Sequence, residues 1–271
     1  MAPLFPASII PQNLRKEQRK IKRGLFKCFA FRYNEQKYGK RVRKRDADKK
    51  SIKGNTMEYQ WYLFDLDGTL TDPKEGITKC FRYALEKMGV ESPELSELEQ
   101  YIGPPLIKSF GEYFSEEDAK RAVEYYRERF RETGIFENGV YDGIEDMLKA
   151  AKESGKKLAL ATSKPQHFAE IIMNHYGLAQ YIDVLVGSRG DGQTKADVIR
   201  QVFAEAGMDE TSKHQAIMVG DRLHDIHGAK ECGIDSLGVR FGYAKENELE
   251  EAGADYIVAT TQELKEFILS H

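Results

Sequence analysis

The sequence has few cysteines and no long apolar run. Its 271 residues include only three cysteines, Cys28, Cys80 and Cys232, and none belongs to a Cys-x-x-Cys pair or a cysteine–histidine cluster. These absences argue against a disulfide framework and a structural zinc site, and they favour a reducing cytoplasm as the compartment. No stretch approaches the roughly 18 apolar residues of a transmembrane helix. The length allows one large domain or two small ones.

Charge is distributed unevenly along the chain. Residues 1–56 contain 17 lysines and arginines and 4 acidic residues, a net charge of +13, whereas the other 215 residues contain 24 and 40, a net charge of −16. We therefore predict a basic extension over residues 1–56, either disordered or outside the natural protein, which would then start at Met57. Alternatively, this extension contacts nucleic acid or anionic lipid, or it is a targeting segment.

From residue 57 onward, short apolar runs alternate with helical patterns. The runs have the length of buried strands and lie at residues 61–66, 157–163, 182–188, 215–221, 234–240 and 254–260. Such alternation predicts an α/β fold, with a Rossmann-like parallel sheet and helices on both of its faces.

One long segment after the first strand interrupts this alternation. Apolar residues recur at helical spacing over 74–89, and the pattern Ser115-x-x-Asp118 predicts the start of a helix that runs to Gly134. We therefore predict an inserted, all-helical cap domain at residues 73–138. Residues 57–72 and 139–271 then form the Rossmann-like core.

Polar side chains gather where the predicted strands end. They are Asp65 and Asp67 after the first strand, Thr162 and Ser163 in the strand at 157–163, Lys195 at the start of a helix, and Asp221 and Asp225 after the strand at 215–221. Ligands of open parallel sheets bind at the carboxyl ends of the strands. We therefore expect these side chains to share one site.

These residue types together suit phosphoryl chemistry. Several neighbouring carboxylates repel one another unless a cation joins them, and an all-oxygen ligand set favours Mg²⁺. A hydroxyl and a lysine beside that ion can balance the charge of a phosphoryl group. One carboxylate can attack phosphorus while a second moves protons to and from oxygen. Each residue alone also fits a turn, a helix cap or a solvated surface, so their joint placement is what indicates a site.

The segments FDLDGTLTD, ATSK and VGDRLHD, together with Lys195, resemble the four motifs of the haloacid dehalogenase superfamily of phosphohydrolases. The resemblance extends from about Met57 to the C-terminus. It implies that Asp65 is the nucleophile, that Asp67 is the general acid/base, and that the helical insert closes over the substrate. It also implies that Thr162, Ser163 and Lys195 bind the phosphoryl group, and that Asp65, Asp67, Asp221 and Asp225 hold Mg²⁺. The dehalogenases lack an acid/base aspartate at this place, so the chain resembles a phosphatase.

Within that superfamily, LTDPKEGI, YIGPPL, FENGVYDGI, ATSKP and EEAGADYIV resemble a bacterial group of 5′-nucleotidase-like and phosphoglycolate phosphatase-like enzymes. The resemblance implies a small phosphorylated metabolite as substrate, with nucleoside 5′-monophosphates as the lead class and phosphoglycolate as an alternative. We predict that the stiff loop with Ile102, Gly103 and Pro104 determines specificity. A plain helix–helix turn is the alternative interpretation.

Other functions stay open from the sequence. A receiver-like phospho-aspartate module would also surround Mg²⁺ with acids, a hydroxyl and a lysine, although Asp-x-Asp-Gly-Thr and the helical insert argue against it. A sugar phosphomutase of the same superfamily and a protein that binds without catalysis are further alternatives. We expect Arg222 to pair with a carboxylate of the site, and Tyr113, Tyr125 and Tyr126 to belong to the core rather than to stack on a base.

Overall fold

The computed structural model describes residues 58–190 and 192–271. The basic extension predicted over residues 1–56, each interpretation of it, and the alternative start at Met57 lie outside the described residues. Within the described ranges, no helix is both long enough and apolar enough to span a membrane.

The strands form one large sheet and one small one. Six parallel strands have the order β5-β4-β1-β6-β7-β8, and β2 and β3 form a separate antiparallel pair. The strands are β1 (Trp61–Phe64), β2 (Thr71–Asp72), β3 (Gly139–Val140), β4 (Lys157–Pro165), β5 (Val184–Ser188), β6 (Ala216–Gly220), β7 (Asp235–Val239) and β8 (Tyr256–Val258).

Helices fill most of the remaining sequence. They are α1 (Lys74–Lys87), α2 (Leu95–Leu98), α3 (Leu106–Phe110), α4 (Glu116–Glu132), α5 (Ile144–Glu153), α6 (Gln166–His175), α7 (Lys195–Glu205), α8 (Glu210–His214), α9 (Leu223–Cys232), α10 (Glu248–Ala252) and α11 (Thr261–Ser270). Short 3₁₀ turns lie at Glu99–Tyr101, Gly134–Phe136 and Leu178–Tyr181. The five-residue helices α8 and α10 were not predicted, since they are too short to show a helical period.

The large sheet is buried on both faces. In β1, Tyr62 and Phe64 belong to one apolar cluster and Leu63 to another. The first cluster includes Met147 of α5, and the second includes Val198 of α7. Successive side chains of a strand point to opposite faces, so a continuous apolar run is typical of a strand covered on both sides. The predicted α/β fold, a parallel sheet with helices on both faces, is confirmed.

The segment between β2 and β3 is helical, as the sequence predicted. Helix α4 begins as expected, because the Ser115 hydroxyl accepts a hydrogen bond from the Asp118 amide at 3.3 Å. The chain leaves the core through β2 and returns through β3, and these strands pair Thr71 with Val140. The assignment of residues 73–138 to a separate cap domain stays a prediction.

Aromatic side chains form the interior of this insert. The Phe81 ring of α1 stacks on Tyr101 and Phe110, with centroid distances of 4.5 and 4.1 Å. Tyr126 is buried, and Tyr113 and Tyr125 pack against the same cluster. The interpretation as a core residue is confirmed for Tyr126, whereas Tyr113 and Tyr125 are partly buried at the edge of this cluster.

Candidate active site

A tight turn follows β1 and presents the two predicted aspartates. The strand ends at Phe64, two residues earlier than predicted, because the Leu66 carbonyl accepts hydrogen bonds from the amides of Leu70 and Thr71 at 2.9 and 3.0 Å and turns the chain. Gly68 lies in this turn at φ +84°, and a Cβ there would be 2.2 Å from Asp221 Oδ2. Only glycine fits both the backbone conformation and the close approach. The turn is therefore built against the carboxylate of Asp221.

Three of the four predicted aspartates converge. Asp65, Asp221 and Asp225 each offer one carboxylate oxygen, and these atoms all lie within 4.8 Å of one another. Asp221 follows β6, and its Oδ2 accepts a hydrogen bond from the Tyr243 amide at 2.8 Å. Asp225 lies in the first turn of α9 and accepts from the Arg222 amide at 3.1 Å. Backbone amides from two loops thus fix both buried carboxylates in place.

The cluster is electrostatically unfavourable without a cation. Burial raises the pKa of Asp221 well above its ordinary value, and the neighbouring Asp225 and Asp65 raise it further. Burial likewise raises the pKa of Asp225 to about 6, although Lys195 opposes this shift. Three converging oxygen donors, two of them from carboxyls that are costly to ionise, match the requirements of a hard divalent cation. The residues present therefore fit a metal ion, and Asp65, Asp221 and Asp225 would hold it.

Lys195 lies between two of these carboxylates. Its Nζ is 3.0 Å from Asp65 Oδ1 and 2.8 Å from Asp225 Oδ1, and it donates a hydrogen bond to the Ala161 carbonyl at 2.9 Å. Burial lowers the pKa of Lys195, but Asp225 and Asp65 outweigh burial and hold that pKa above its ordinary value. A capping box at Thr194 begins α7 immediately before it. The lysine therefore stays cationic at the reacting edge.

Asp67 lies outside the three-carboxylate cluster. Its Oδ2 pairs with Lys164 Nζ at 2.6 Å. That ammonium also lies 4.9 Å from the ring centroid of Phe130, in the helical insert. The other oxygen, Oδ1, is buried and has no hydrogen-bond partner among the described residues. Asp67 is thus not one of the three clustered carboxylates, its predicted share in a metal site stays a prediction, and one of its oxygens remains available to a ligand.

The hydroxyl groups of β4 occupy different environments. Thr162 is buried at the edge of the sheet, where its Oγ1 accepts a hydrogen bond from the Lys164 amide at 3.2 Å. Its hydroxyl proton can therefore still be donated to a bound oxygen. Ser163 is exposed. The sequence had placed Lys164 only inside a motif, so its pairing with Asp67 is a contact of the candidate site that the sequence did not predict.

The predicted specificity loop contacts the core through Arg222. The carbonyl oxygen of Ile102 accepts a hydrogen bond from Arg222 Nη1 at 2.5 Å. The prediction that Arg222 pairs with a site carboxylate is wrong, since its Nε pairs with Glu248 at 2.8 Å. Glu248 begins the unpredicted helix α10, and this is why the partner was not found from the sequence.

We expect the Asp225 carboxyl to contribute less to the stability of the metal-free protein as the pH rises from about 4 to about 6. In this window the Asp225 carboxyl, whose pKa is raised to about 6, keeps its proton in the folded state and loses it on unfolding. The contribution of this group to the free energy of unfolding should fall by about 1.4 kcal/mol per pH unit. Denaturant unfolding with a chelator present, compared with Asp225→Asn, isolates this group, because the variant lacks its titration. A difference between the two proteins that stays constant over this window would contradict the pKa shift.

Comparison with known proteins agrees with the geometry. A family profile described as haloacid dehalogenase-like hydrolase matches residues 62–239. The chain is 39% identical over 219 residues to a 5′-nucleotidase of Pseudomonas aeruginosa, covering 79% of this chain and 98% of that protein. It is 35% identical over 211 residues to the tyrosine-protein kinase PtkA of Mycobacterium tuberculosis, covering 76% and 72%.

A solved structure shows the same arrangement of the chain. A predicted phosphatase from Clostridium acetobutylicum superposes with a TM-score of 0.74 at 46% identity, covering 79% of this chain and all of that one. The match to the family profile extends from β1 through β7 and includes the predicted site residues Asp65, Asp67, Thr162, Ser163, Lys195, Asp221 and Asp225. The chain therefore belongs to the haloacid dehalogenase-like hydrolases, and within them it is a phosphomonoester hydrolase.

Proposed function

We propose that this enzyme is a Mg²⁺-dependent phosphatase that hydrolyses a small phosphomonoester through a phosphorylated Asp65, with nucleoside 5′-monophosphates as the lead substrate class. The arrangement around Asp65 is the observation that carries the proposal. Its Oδ1 accepts a hydrogen bond from the Leu66 amide at 2.8 Å and pairs with Lys195 at 3.0 Å. These contacts fix the carboxylate and leave Oδ2 as the attacking atom.

The reaction divides into two transfers. Asp65 Oδ2 attacks phosphorus, the bond from phosphorus to the leaving oxygen breaks, and Asp67 donates a proton to that oxygen. Asp67 then takes a proton from water, and the water oxygen attacks phosphorus. The bond from phosphorus to Asp65 breaks, which releases phosphate and restores the carboxylate. Lys195 and the Thr162 hydroxyl balance the charge of the phosphoryl oxygens.

A divalent ion completes this set of groups. Asp65, Asp221 and Asp225 would hold Mg²⁺, which would supply positive charge to offset the repulsion between the carboxylates and to polarise a phosphoryl oxygen. A further contribution from the Asp67 side chain, as the sequence implied, stays a prediction, because that carboxylate contacts Lys164 in the present structure.

The helical insert is the proposed cap over the leaving group. Phe130 of α4 lies over Lys164, and its ring is 5.1 Å from that of Phe168 in α6, so the insert borders the acid/base side of the site. The loop with Ile102, Gly103 and Pro104 borders it from the Arg222 side. Support for nucleotides comes from the 5′-nucleotidase relative and from the sequence resemblance. Phosphoglycolate is the alternative substrate.

The test is phosphate release by the purified protein across nucleoside monophosphates, phosphoglycolate and sugar phosphates, with Mg²⁺ and with chelator. We expect release that requires Mg²⁺ and is fastest with a nucleoside monophosphate. Fastest release from phosphoglycolate would replace the lead substrate. Isomerisation of a sugar phosphate without release of free phosphate would indicate a mutase. A phosphorylated Asp65 that persists for minutes would indicate a receiver-like module. Transfer of a phosphoryl group from ATP to tyrosine would indicate a kinase.

A further inference from the structure

Arg222 joins the helical insert to the core, and its partner in the insert, Ile102, lies 120 residues earlier in the chain. Arg222 directly follows Asp221 at the end of β6, and it is buried. One nitrogen of its guanidinium, Nη1, donates to the Ile102 carbonyl of the insert. Another, Nε, pairs with Glu248 of the core. A single planar group therefore contacts the specificity loop on one side and an acid of the core on the other.

Glu248 is held more firmly than an ordinary ion-pair partner. Its Oε1 accepts from Arg222 Nε at 2.8 Å and from the Leu223 amide at 2.9 Å, and its Oε2 accepts from the Lys245 amide at 3.0 Å. The preceding residue, Asn247, has φ +61° and is the one non-glycine residue with positive φ in the described part of the chain. Such backbone is costly and persists where the surrounding contacts require it. Here it places Glu248 under the guanidinium.

The loop contributes its backbone to this contact. The Ile102 side chain is buried in the interior of the insert, so that its carbonyl has a fixed direction. Gly103 follows at φ +102°, and a Cβ there would lie 2.9 Å from Arg222 Nη1. The guanidinium thus fills the space that a larger residue would need. Because the acceptor is a backbone carbonyl, the hydrogen bond depends on where the loop lies and not on which side chain the loop carries.

We propose that Arg222 and Glu248 form a clasp that holds the 102–104 loop closed over the leaving-group side of the site, so that Arg222 is a positioning residue for substrate discrimination. Opening the insert breaks the bond to Ile102 and leaves a buried charged donor without its acceptor. Hydrogen bonds to charged groups are strong enough that the loss of this one should increase the open population roughly tenfold. The role of Arg222 in substrate discrimination rests on the proposed function, whereas the clasp that Arg222 and Glu248 form with the loop does not.

Hydrogen exchange tests the clasp without any assay of activity. In Arg222→Lys and in Glu248→Gln, we expect amide exchange in peptides covering 99–106 to rise roughly tenfold relative to wild type. Peptides from α5 should be unchanged, which separates loop opening from general unfolding. Arg240→Lys is the matched control, since Arg240 pairs with Glu250 in an exposed salt bridge. Equal exchange in 99–106 for wild type and both clasp variants would overturn the proposal.

Discrimination is the second measurement. We expect the ratio of kcat/KM for the best phosphomonoester to kcat/KM for acetyl phosphate to fall roughly tenfold in Arg222→Lys and to stay at the wild-type value in Arg240→Lys. If this ratio is unchanged in both Arg222→Lys and Glu248→Gln, the clasp has no role in substrate discrimination. If wild type releases no phosphate from any substrate, the proposed function fails, and the exchange result still decides whether the clasp exists.

Discussion

Asp65→Asn should lower phosphate release by on the order of 10⁴-fold or more, because an amide oxygen is a poor nucleophile and the two-step path is lost. The fold should stay intact. The asparagine Oδ1 can still accept from Leu66 and Lys195, and the loss of one negative charge relieves repulsion on Asp221 and Asp225. Phosphate release at saturating Mg²⁺, together with thermal unfolding without metal, checks both statements. Activity close to wild type would show that another group attacks phosphorus.

Asp67→Asn is the matched comparison for this variant. It removes the same charge two residues away but leaves the nucleophile in place. With acetyl phosphate, whose leaving group needs little protonation, the variant should form phospho-Asp65 and hydrolyse it slowly. Intact-protein mass should therefore show one added phosphoryl group on Asp67→Asn and none on Asp65→Asn. The reverse pattern would exchange the two proposed roles.

Lys195→Met should strongly lower the free energy of unfolding, and the size of the decrease should depend on whether metal is bound. The side chain is only 3% exposed and lies between Asp65 and Asp225. Removing one partner of a buried ionic group leaves uncompensated charge and costs about 3–5 kcal/mol. In a chelator we expect a decrease of this size in the free energy of unfolding, and excess Mg²⁺ should recover part of it by joining the carboxylates. Denaturant unfolding under both conditions is the measurement.

Lys152→Met is the control for the lysine variant. Lys152 pairs with Asp183 at 2.7 Å, but the side chains are 30% and 23% exposed. Solvent screens such a pair, so its loss should cost at most about 1 kcal/mol and should not respond to Mg²⁺. If Lys195→Met were as mild as this control, or if its loss were equal with and without metal, the electrostatic account of the site would be wrong.

The sequence predicted which residues lie together where their placement follows from the ends of the strands. The carboxyl ends of parallel strands meet at one edge, so Asp65, Lys195, Asp221 and Asp225 could be placed together without knowledge of strand order. Asp67 was placed with them because it also follows the first strand. However, β1 ends at Phe64, and Asp67 lies in the turn that follows, where its carboxylate pairs with Lys164.

The contacts that the sequence did not predict are long-range. Lys164 pairs with Asp67 across 97 positions of sequence, and neither residue type nor local spacing specifies that partner. Arg222 pairs with Glu248, which a strained Asn247 places at the start of a five-residue helix. Short helices and positive-φ residues outside glycine have no periodic signal. These long-range contacts therefore could not be predicted from the sequence, whereas the gathering of residues at the strand ends could.

The pairing of β2 with β3 has a consequence for how this fold can vary. Asp72 and Gly139 are direct register partners on antiparallel strands, so the two ends of the insert lie at the distance that a two-residue hairpin turn spans. Any segment whose own ends lie close together can occupy this junction without disturbing the parallel sheet. The segment between Asp72 and Gly139 can therefore be exchanged over evolution as one unit, provided that the new segment also fits the core side chains Lys164 and Arg222, which the insert contacts.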